Sequence, residues 1–378
     1  MRTPVVMTLL VACATPATPA TSGPGAYRLE ERGTLSLPGA MDVWGEGDVA
    51  VLAGGLNPAT DVLVADVSDP DAPRMLSTIG GLGQVRDVHL EDDVLYVASD
   101  CNCRPGTPEM EAWDHVGVRI YDLSDPAAPG LLATIGPPTE SVHNLHVANG
   151  FLYATSFLEG PGGSVVIVDV SDPRAPAVVG RWSPPAGVVH DQTAVDDRLY
   201  VAHMDGFSVV DIADPAAPRT LQTVSLRPLA GPGGLPALHN AWPLRDPRYV
   251  ATSEERVGGP MTLWDLDRAA PVARFPEADD PNCVHNVQIV GDRLYAAWYL
   301  DGVRVFDVAD PSAPTLLDAV DTFPGPTPEP PDPPPGADGP DPSTMPIIRG
   351  AWGTWIDDGR VLVGDTDRGL VVLTESGG

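Results

Sequence analysis

Short runs of alternating hydrophobic and polar residues recur along the chain, and turn residues separate them. In residues 283–320 four such runs, VHNVQIV, RLYAAW, VRVFDV and PTLLDAV, follow one another, with Gly-Asp, Asp-Gly and Asp-Pro-x-Ala-Pro between them. A period of two residues is typical of a β-strand with one buried face, and Gly, Asp and Pro favour tight turns. The segment therefore predicts a four-stranded antiparallel sheet.

This unit occurs six times, and its most regular part is the turn after the third run. The Asp that opens the turn recurs at intervals of 42 to 56 residues, at Asp66, Asp122, Asp169, Asp211, Asp265 and Asp307. An Asp side chain accepts a hydrogen bond from the backbone N–H two residues on, so we interpret these residues as turn residues and not as catalytic ones. Four strands per unit, repeated every 40 to 50 residues or so, predict a β-propeller.

Pieces of a seventh unit lie at the two ends of the repeats. Residues 349–374 supply three strands, and residues 27–39 read as a single strand before the first unit. Joining them closes the ring and leaves no open sheet edge. We therefore predict an all-β fold, a seven-bladed β-propeller over residues 27–374 that is closed by an N-terminal strand. The Pro-rich residues 324–346 form an extended insertion between blades six and seven.

Several copies of the repeat carry a family resemblance. The phrases VLVADVSDP, VRIYDLSDP and VVIVDVSDP resemble the LVIVD repeat of bacterial and archaeal cell-surface proteins. The resemblance covers about residues 27–374, nearly all of the chain after its N-terminal segment. It implies a propeller at the cell surface but no particular chemistry, because propellers support many activities.

The N-terminal segment resembles an export signal. Residues 1–13, MRTPVVMTLLVAC, join one Arg and a short apolar stretch to Cys13, as in a bacterial lipoprotein signal peptide whose Cys is acylated. Residues 14–25 then act as a flexible tether. We expect an outer-membrane or cell-surface lipoprotein. A plain secretory signal is the alternative, and the protein is then periplasmic or secreted.

Charge and hydropathy exclude two kinds of partner. The formal net charge of −30 argues against nucleic acid, because phosphate binding requires clustered Lys and Arg. The sequence contains no apolar run of the 18 or more residues that a membrane-spanning helix needs, so we expect contact with a membrane through the lipid anchor alone. The predicted protein is a monomer that binds a protein or a small molecule.

Two columns of residues appear when the units are aligned at the start of their innermost strands. The second column is Asp or Asn in six of the seven units, and its short polar side chains are expected to bond neighbouring backbone. The first column holds four of the eight His of the chain, spaced by 47, 49 and 46 residues, namely His143, His190, His239 and His285. Equivalent strands bring these imidazoles to one mouth of the central channel.

Converging imidazoles suggest a metal site, since His is the commonest ligand of transition metals. We predict Cu, Fe or Zn on the four His, with a second shell of Asn144, Asp191, Asn240 and Asn286. Two groups of propeller proteins have functional His, namely the carotenoid oxygenases and the selenium-binding proteins that resemble methanethiol oxidase. This sequence resembles them only in the placement of its His. Hydrogen bonding between adjacent blades, or retention after duplication, would also explain the column.

Further residues are expected at the same mouth. Loops between second and third strands open there, namely residues 100–117, 203–206 and 299–302, and Arg86 occupies the first column one unit before the His run. Arg86, His203 and His115 are candidates for ligand binding, Arg86 through an anionic group. Cys283 is a candidate for a disulfide with Cys101 or Cys103, while a metal role for the Cys101-x-Cys103 pair is the alternative.

Three functions fit these patterns. The first is an exported, lipid-anchored binding module with a His-lined metal or ligand site. The second is a metal-dependent oxidoreductase that uses the same His, and the third is a purely structural surface protein. Sequence motifs of phosphate-binding loops, serine hydrolases and zinc metalloproteases are absent from the chain.

Overall fold

The computed structural model describes residues 26–55, 60–100, 117–136, 141–156, 162–226, 237–256, 258–275, 283–323, 325 and 349–377. All regular elements in these ranges are β-strands, and 28 strands form seven antiparallel sheets of four. The same ranges contain no helix with the length and apolarity needed to cross a membrane.

Each sheet is one blade, and its strands follow the chain from the inner to the outer edge in blades one to six. The strands are β2 (Val43–Glu46), β3 (Val49–Ala53), β4 (Val62–Asp66) and β5 (Arg74–Ile79) in blade one; β6 (Gln84–Glu91), β7 (Val94–Asp100), β8 (Val118–Asp122) and β9 (Gly130–Ile135) in blade two; β10 (Leu145–Ala148), β11 (Phe151–Ser156), β12 (Ser164–Asp169) and β13 (Ala177–Trp182) in blade three; β14 (Val189–Val195), β15 (Arg198–His203), β16 (Gly206–Asp211) and β17 (Arg219–Ser225) in blade four; β18 (Leu238–Pro243), β19 (Tyr249–Glu254), β20 (Met261–Asp265) and β21 (Ala270–Phe275) in blade five; β22 (Val287–Val290), β23 (Arg293–Ala297), β24 (Val303–Asp307) and β25 (Thr315–Val320) in blade six; and β26 (Ala351–Asp357), β27 (Arg360–Asp365), β28 (Gly369–Ser376) and β1 (Arg28–Ser36) in blade seven.

The innermost strands form a closed ring. Each of β2, β6, β10, β14, β18 and β22 contacts the innermost strand of the next blade, and β26 returns to contact β2. The core lies between blades, where, for example, Val51 and Val64 of blade one pack with Leu95 and Val97 of blade two. The predicted seven-bladed β-propeller is confirmed.

Both ends of the described chain meet in blade seven. Strand β1 pairs antiparallel with β28, from Arg28 opposite Ser376 to Ser36 opposite Gly369. Leu29 of β1 is buried with Val371 and Leu373 of β28. The outermost strand of the last blade is therefore the first strand of the chain.

The recurring Asp residues act as the turn chemistry predicts. Asp66 Oδ1 accepts hydrogen bonds from the Ser68 backbone N at 2.9 Å and from Ser68 Oγ at 2.6 Å. The same backbone bond from two residues on is present at Asp122, Asp169, Asp211, Asp265 and Asp307. These carboxylates lie at the C-terminal ends of the third strands, which is the end of each blade opposite to the start of its first strand, and they belong to the scaffold.

Candidate functional site

A β-bulge at the start of the innermost strands explains why two adjacent columns of side chains enter the channel. In blade four the pairing with β15 moves directly from Val189 to Asp191, so His190 is the extra residue. Blade five shows the same step from Leu238 to Asn240 around His239. Because a bulge places two consecutive residues opposite one, both can face the same side of the sheet. His143 and Asn144 accordingly line one cavity together, as do His285 and Asn286.

The structure brings the four imidazoles of the first column into a continuous arc. Ring centroids are 4.8 Å apart for His143 and His190, 4.1 Å for His190 and His239, and 3.9 Å for His239 and His285. The indole of Trp352 continues the arc 4.2 Å from His285. We call these five residues the His arc.

One nitrogen of several imidazoles is used for bonding between blades. His143 Nδ1 lies 2.9 Å from Asp100 Oδ2 of blade two, and His285 Nδ1 lies 2.7 Å from the Trp352 carbonyl oxygen of blade seven. Carboxylate and carbonyl oxygens only accept, so Nδ1 is the donor in both rings. Blade-to-blade bonding, the alternative interpretation of the column, therefore accounts for Nδ1 of both rings.

His285 has a second ring nitrogen, Nε2, that the bonding between the described parts of the blades does not use. Its Nε2 is buried and has no hydrogen-bond partner among the residues that the structure describes. Burial lowers the pKa of His285 to about 3, and burial also holds the pKa of His190 and His239 well below the usual value. These three imidazoles are consequently neutral at physiological pH, which is the form that binds metals.

Glu255 adds a carboxylate to the arc. It follows the second strand of blade five, and its Oε2 lies 3.8 Å from His239 Nε2. Ligand atoms of His190, His239 and Glu255 all lie within 4.8 Å of one another. Tyr299 OH donates a hydrogen bond to Glu255 Oε1, and burial raises the pKa of Glu255 to about 7.

Sequence reasoning missed Glu255, although a signal existed. The residue lies in the loop between the second and third strands of blade five, and such loops were expected at this mouth in three other blades. The segment TSEERVGG at residues 252–259 carries two consecutive carboxylates at that loop. Extending the loop argument to every blade would have selected Glu254 and Glu255 for inspection.

A narrow cavity of about 10 Å³ lies beside the arc. It is lined by Asp42, Arg86, His143, Asn144, His239, His285, Asn286 and Trp352. This volume corresponds to roughly one water molecule or a single ion. The predicted ligand residue Arg86 is therefore at the site. Its Nε lies 3.9 Å from Asp100 Oδ2 and is buried without a hydrogen bond in the described part of the chain.

The Asp and Asn side chains of the second column form a layer below the arc. Asp87 Oδ2 accepts a bond from the Leu145 backbone N of the next blade at 2.7 Å, and Asn240 Nδ2 donates to Asp191 Oδ2 at 2.7 Å. The first of these bonds is the backbone contact expected of the column, whereas the second joins two side chains of the column. For the predicted second shell, Asn286 interacts with His239, whereas Asp191 and Asn240 bond to each other.

Two other predicted positions do not reach the arc. His203 ends β15 with its ring buried in blade four, where Nε2 lies 3.1 Å from Ser208 Oγ, and it lines neither channel cavity. Cys283 is fully buried in a core cluster with Met41, Val85 and Tyr299. Its suggested disulfide partners Cys101 and Cys103 lie outside the described residues, as do His115, Cys13 and nearly all of the Pro-rich residues 324–346.

A third layer of channel residues lies on the same strands, three positions after the first column that contains the four His. Trp44 stacks on Trp355 at 3.3 Å between centroids and on His89 at 3.7 Å, and His89 is 5.2 Å from His146. A second cavity of about 60 Å³ lies between this layer and the Asp and Asn layer. His89 and His146 thus belong to a packed cluster of aromatic rings.

Comparisons with known proteins agree with this architecture. The LVIVD repeat model matches residues 142–183, 187–225 and 283–322. The crystal structure of the WD40 β-propeller domain of Doa1 superposes with a TM-score of 0.62 at 12% identity, over 92% of this chain and 97% of that one. The WD40 repeats of RRP9 give a TM-score of 0.60 at 12% identity, over 96% of this chain and 98% of that one.

At such low identity the two structures show a shared fold and nothing about activity. No curated protein matches the sequence. The fold and the repeat matches together identify the chain as a seven-bladed β-propeller that contains LVIVD repeats.

Proposed function

We propose that this propeller is an exported binding module whose channel mouth holds one transition-metal ion. The observation that carries the proposal is the convergence of His190, His239 and Glu255, whose ligand atoms lie within 4.8 Å of one another. Metal–nitrogen and metal–oxygen bonds of about 2.0–2.2 Å separate ligand atoms by up to roughly 4 Å. Small side-chain shifts would therefore bring all three residues onto one ion.

The neighbouring imidazoles extend the donor set. His285 offers a buried Nε2 whose protonation state is fixed by the bond from Nδ1 to the Trp352 carbonyl. His143 is oriented in the same way by Asp100. A carbonyl or carboxylate on the far nitrogen is the usual support of a metal-binding His, because it fixes the tautomer and the ring orientation. Imidazole together with carboxylate suits Zn, Fe or Cu.

Arg86 indicates the ligand that such an ion would bind. Its guanidinium lines the cavity that His143, His239 and His285 also line. A cation beside a metal favours an anionic ligand, which bonds to the metal and to the guanidinium at once. We infer that the physiological ligand is a small anion or an anionic group of a larger molecule.

Export through a signal peptide and anchoring through acylated Cys13 complete the proposal. Both rest on the sequence of residues 1–25, which lie outside the described part of the structure. The alternative function, a metal-dependent oxidoreductase, would use the same His arc. It would be distinguished by a redox-active ion and by turnover of a substrate. A purely structural protein would keep its properties when the four His are replaced.

Coordination spectroscopy on the metal-free chain tests the metal site. We expect Co²⁺ to saturate at one ion per chain and to develop visible d–d bands that report nitrogen and oxygen ligands. The H190Q/H239Q variant should weaken binding by at least about tenfold. The H89Q/H146Q variant, which removes two imidazoles from the third layer of the same channel, should bind as the parent does. Absence of saturable Co²⁺, Zn²⁺ and Cu²⁺ binding would refute the proposal.

A further inference from the structure

The larger channel cavity has a lining unlike that of the His arc. Its volume of about 60 Å³ is several times the volume that one water occupies, roughly 10–15 Å³. Carboxylates and amides of the Asp and Asn layer form one side of it. The other side is formed by the third layer, including Trp44, Trp242, Gln288, Thr354 and Trp355.

Acidic side chains, and no cationic ones, line this cavity. Asp42, Asp87 and Asp191 all line it, and its lining includes no Lys or Arg. Its one imidazole, His146, has a pKa lowered by burial to about 4 and supplies no positive charge at neutral pH. Asp42 and Asp87 of adjacent blades share a hydrogen bond, which requires a proton on one of the two carboxyl groups when no cation binds them. Buried carboxylates are costly unless a cation or a proton neutralises them.

The lining of this cavity also includes oxygen atoms that accept no hydrogen bond from a described residue. Asn240 is 4% exposed and Gln288 is 5% exposed, and both line the cavity. Asn240 Oδ1, Gln288 Oε1 and Thr354 Oγ1 are buried without a hydrogen-bond partner in the described residues. Amide oxygens accept and never donate, so each needs a donor or a cation, and almost all buried polar atoms have one.

We propose that this cavity is a second metal site, which binds a partly hydrated hard divalent cation, Ca²⁺ or Mg²⁺. Carboxylate and amide oxygens with waters are the ligands that these ions prefer, and soft or nitrogen ligands are nearly absent from the lining. Among the described residues, the group with ligand atoms mutually within 4.8 Å is His190, His239 and Glu255. The carboxylate oxygens of the three Asp are farther apart than the ligand atoms of that group. Water molecules would therefore complete the coordination shell of the ion, and the cavity of about 60 Å³ has room for them.

This site is independent of the His arc in both ligands and chemistry. The arc offers nitrogen donors to a transition metal, whereas the oxygen-lined cavity is adapted to ions that bind imidazole weakly. Asp42, Asn144 and Asn286 line both cavities, and the third-layer residues line the larger one. An experiment can therefore refute one of the two proposed sites without refuting the other.

Terbium luminescence provides a direct test on the full chain. Tb³⁺ replaces Ca²⁺ at oxygen sites and emits when a nearby indole is excited, and Trp44, Trp242 and Trp355 line the cavity. We expect saturable sensitised emission that Ca²⁺ or Mg²⁺ displaces. The D87N/D191N variant should lose at least tenfold in Tb³⁺ affinity, while H190Q/H239Q should keep the parent affinity. Asn preserves the shape of the Asp side chain, and thermal melting verifies folding.

A second readout does not depend on the variants. Ca²⁺ or Mg²⁺ should raise the Tm of the parent chain in a concentration-dependent way, because an ion that binds the folded state alone stabilises it. No sensitised emission with millimolar Tb³⁺ and no change in Tm would overturn the proposal and leave a shared proton between Asp42 and Asp87. Emission that survives in D87N/D191N would place the ion elsewhere and overturn it equally.

Discussion

The Glu255 carboxylate lies 3.8 Å from Nε2 of His239, because antiparallel pairing places the start of β18 beside the end of β19 in blade five. His239 is the bulge residue of the innermost strand β18, and Glu255 directly follows the last residue of β19. The repeat supplies the imidazole, and the loop between the second and third strands supplies the carboxylate. This pairing turns a column of repeated His into a site with mixed nitrogen and oxygen donors.

Replacing Glu255 should weaken metal binding without disturbing the fold. We expect E255Q to lower the affinity for Zn²⁺ or Co²⁺ by about tenfold or more, because a neutral amide is a poorer ligand than a carboxylate. Isothermal titration measures the change. The matched control is E254Q, because Glu254 instead pairs with Arg256 and Arg274. Equal affinities for E255Q and the parent would remove Glu255 from the site.

The N-terminal strand should contribute strongly to stability. Leu29 is 7% exposed and packs in a cluster with Val371 and Leu373, so L29A leaves a cavity in blade seven. We expect a loss of about 2–4 kcal/mol in the free energy of unfolding, measured by urea denaturation. Leu221 is 52% exposed, and L221A should change stability by less than about 0.5 kcal/mol. Similar effects of the two substitutions would show that β1 is not part of the folded core.

Acid should weaken the turns that end the third strands. Hydrogen bonds from Ser68, followed by Arg74, lower the pKa of Asp66 from 3.8 to about 2. A depressed pKa in the folded state stabilises the protein above the unfolded-state value, and this stabilisation disappears as the pH falls from about 4 to about 2. D66N keeps the turn acceptor and removes the charge. It should cost up to about 1 kcal/mol at pH 7.

The pH dependence of that difference provides the check. Stability curves of D66N and the parent should approach each other as the pH falls through 4 toward 2, because Asp66 becomes protonated first in the unfolded and then in the folded parent. A difference that stays constant from pH 7 to pH 2 would contradict a charge-based role for Asp66.

Cys13 should determine where the protein resides. If Cys13 is acylated after export, the chain partitions with membranes and its mature N-terminus carries lipid, which mass spectrometry detects. C13S should appear in the soluble fraction or keep its signal peptide. C101S, which leaves the lipoprotein-type signal intact, should fractionate as the parent does. Unmodified Cys13 in the parent would refute the lipid anchor.

The sequence predicted the scaffold well because the scaffold depends on local patterns. Alternation and turn residues predicted four strands per blade, and the bond from Ser68 to Asp66 follows from two nearby positions. The His column was visible because the repeat places equivalent residues on equivalent strands. The meeting of His143, His190, His239 and His285 follows from that symmetry.

The parts that the sequence did not predict depend on geometry between strands. Bulges turn His190 and Asp191 into neighbours on the channel, whereas a regular strand would direct them to opposite faces. His203 was expected at the mouth from its loop position, yet its ring lies within blade four against Ser208. Glu255 lies at the mouth because of its loop position, which the sequence indicated, but its distance of 3.8 Å from His239 depends on how the side chains pack.

Metal content of the purified chain tests the His-arc site most directly. Inductively coupled plasma mass spectrometry on the exported protein should find close to one copper, iron or zinc ion per chain. The folded H190A/H239A variant should lose that ion, and H89Q/H146Q should retain it. An equal metal content in H190A/H239A and the parent, or no metal in the parent after reconstitution with each ion, would contradict a metal site on the His arc.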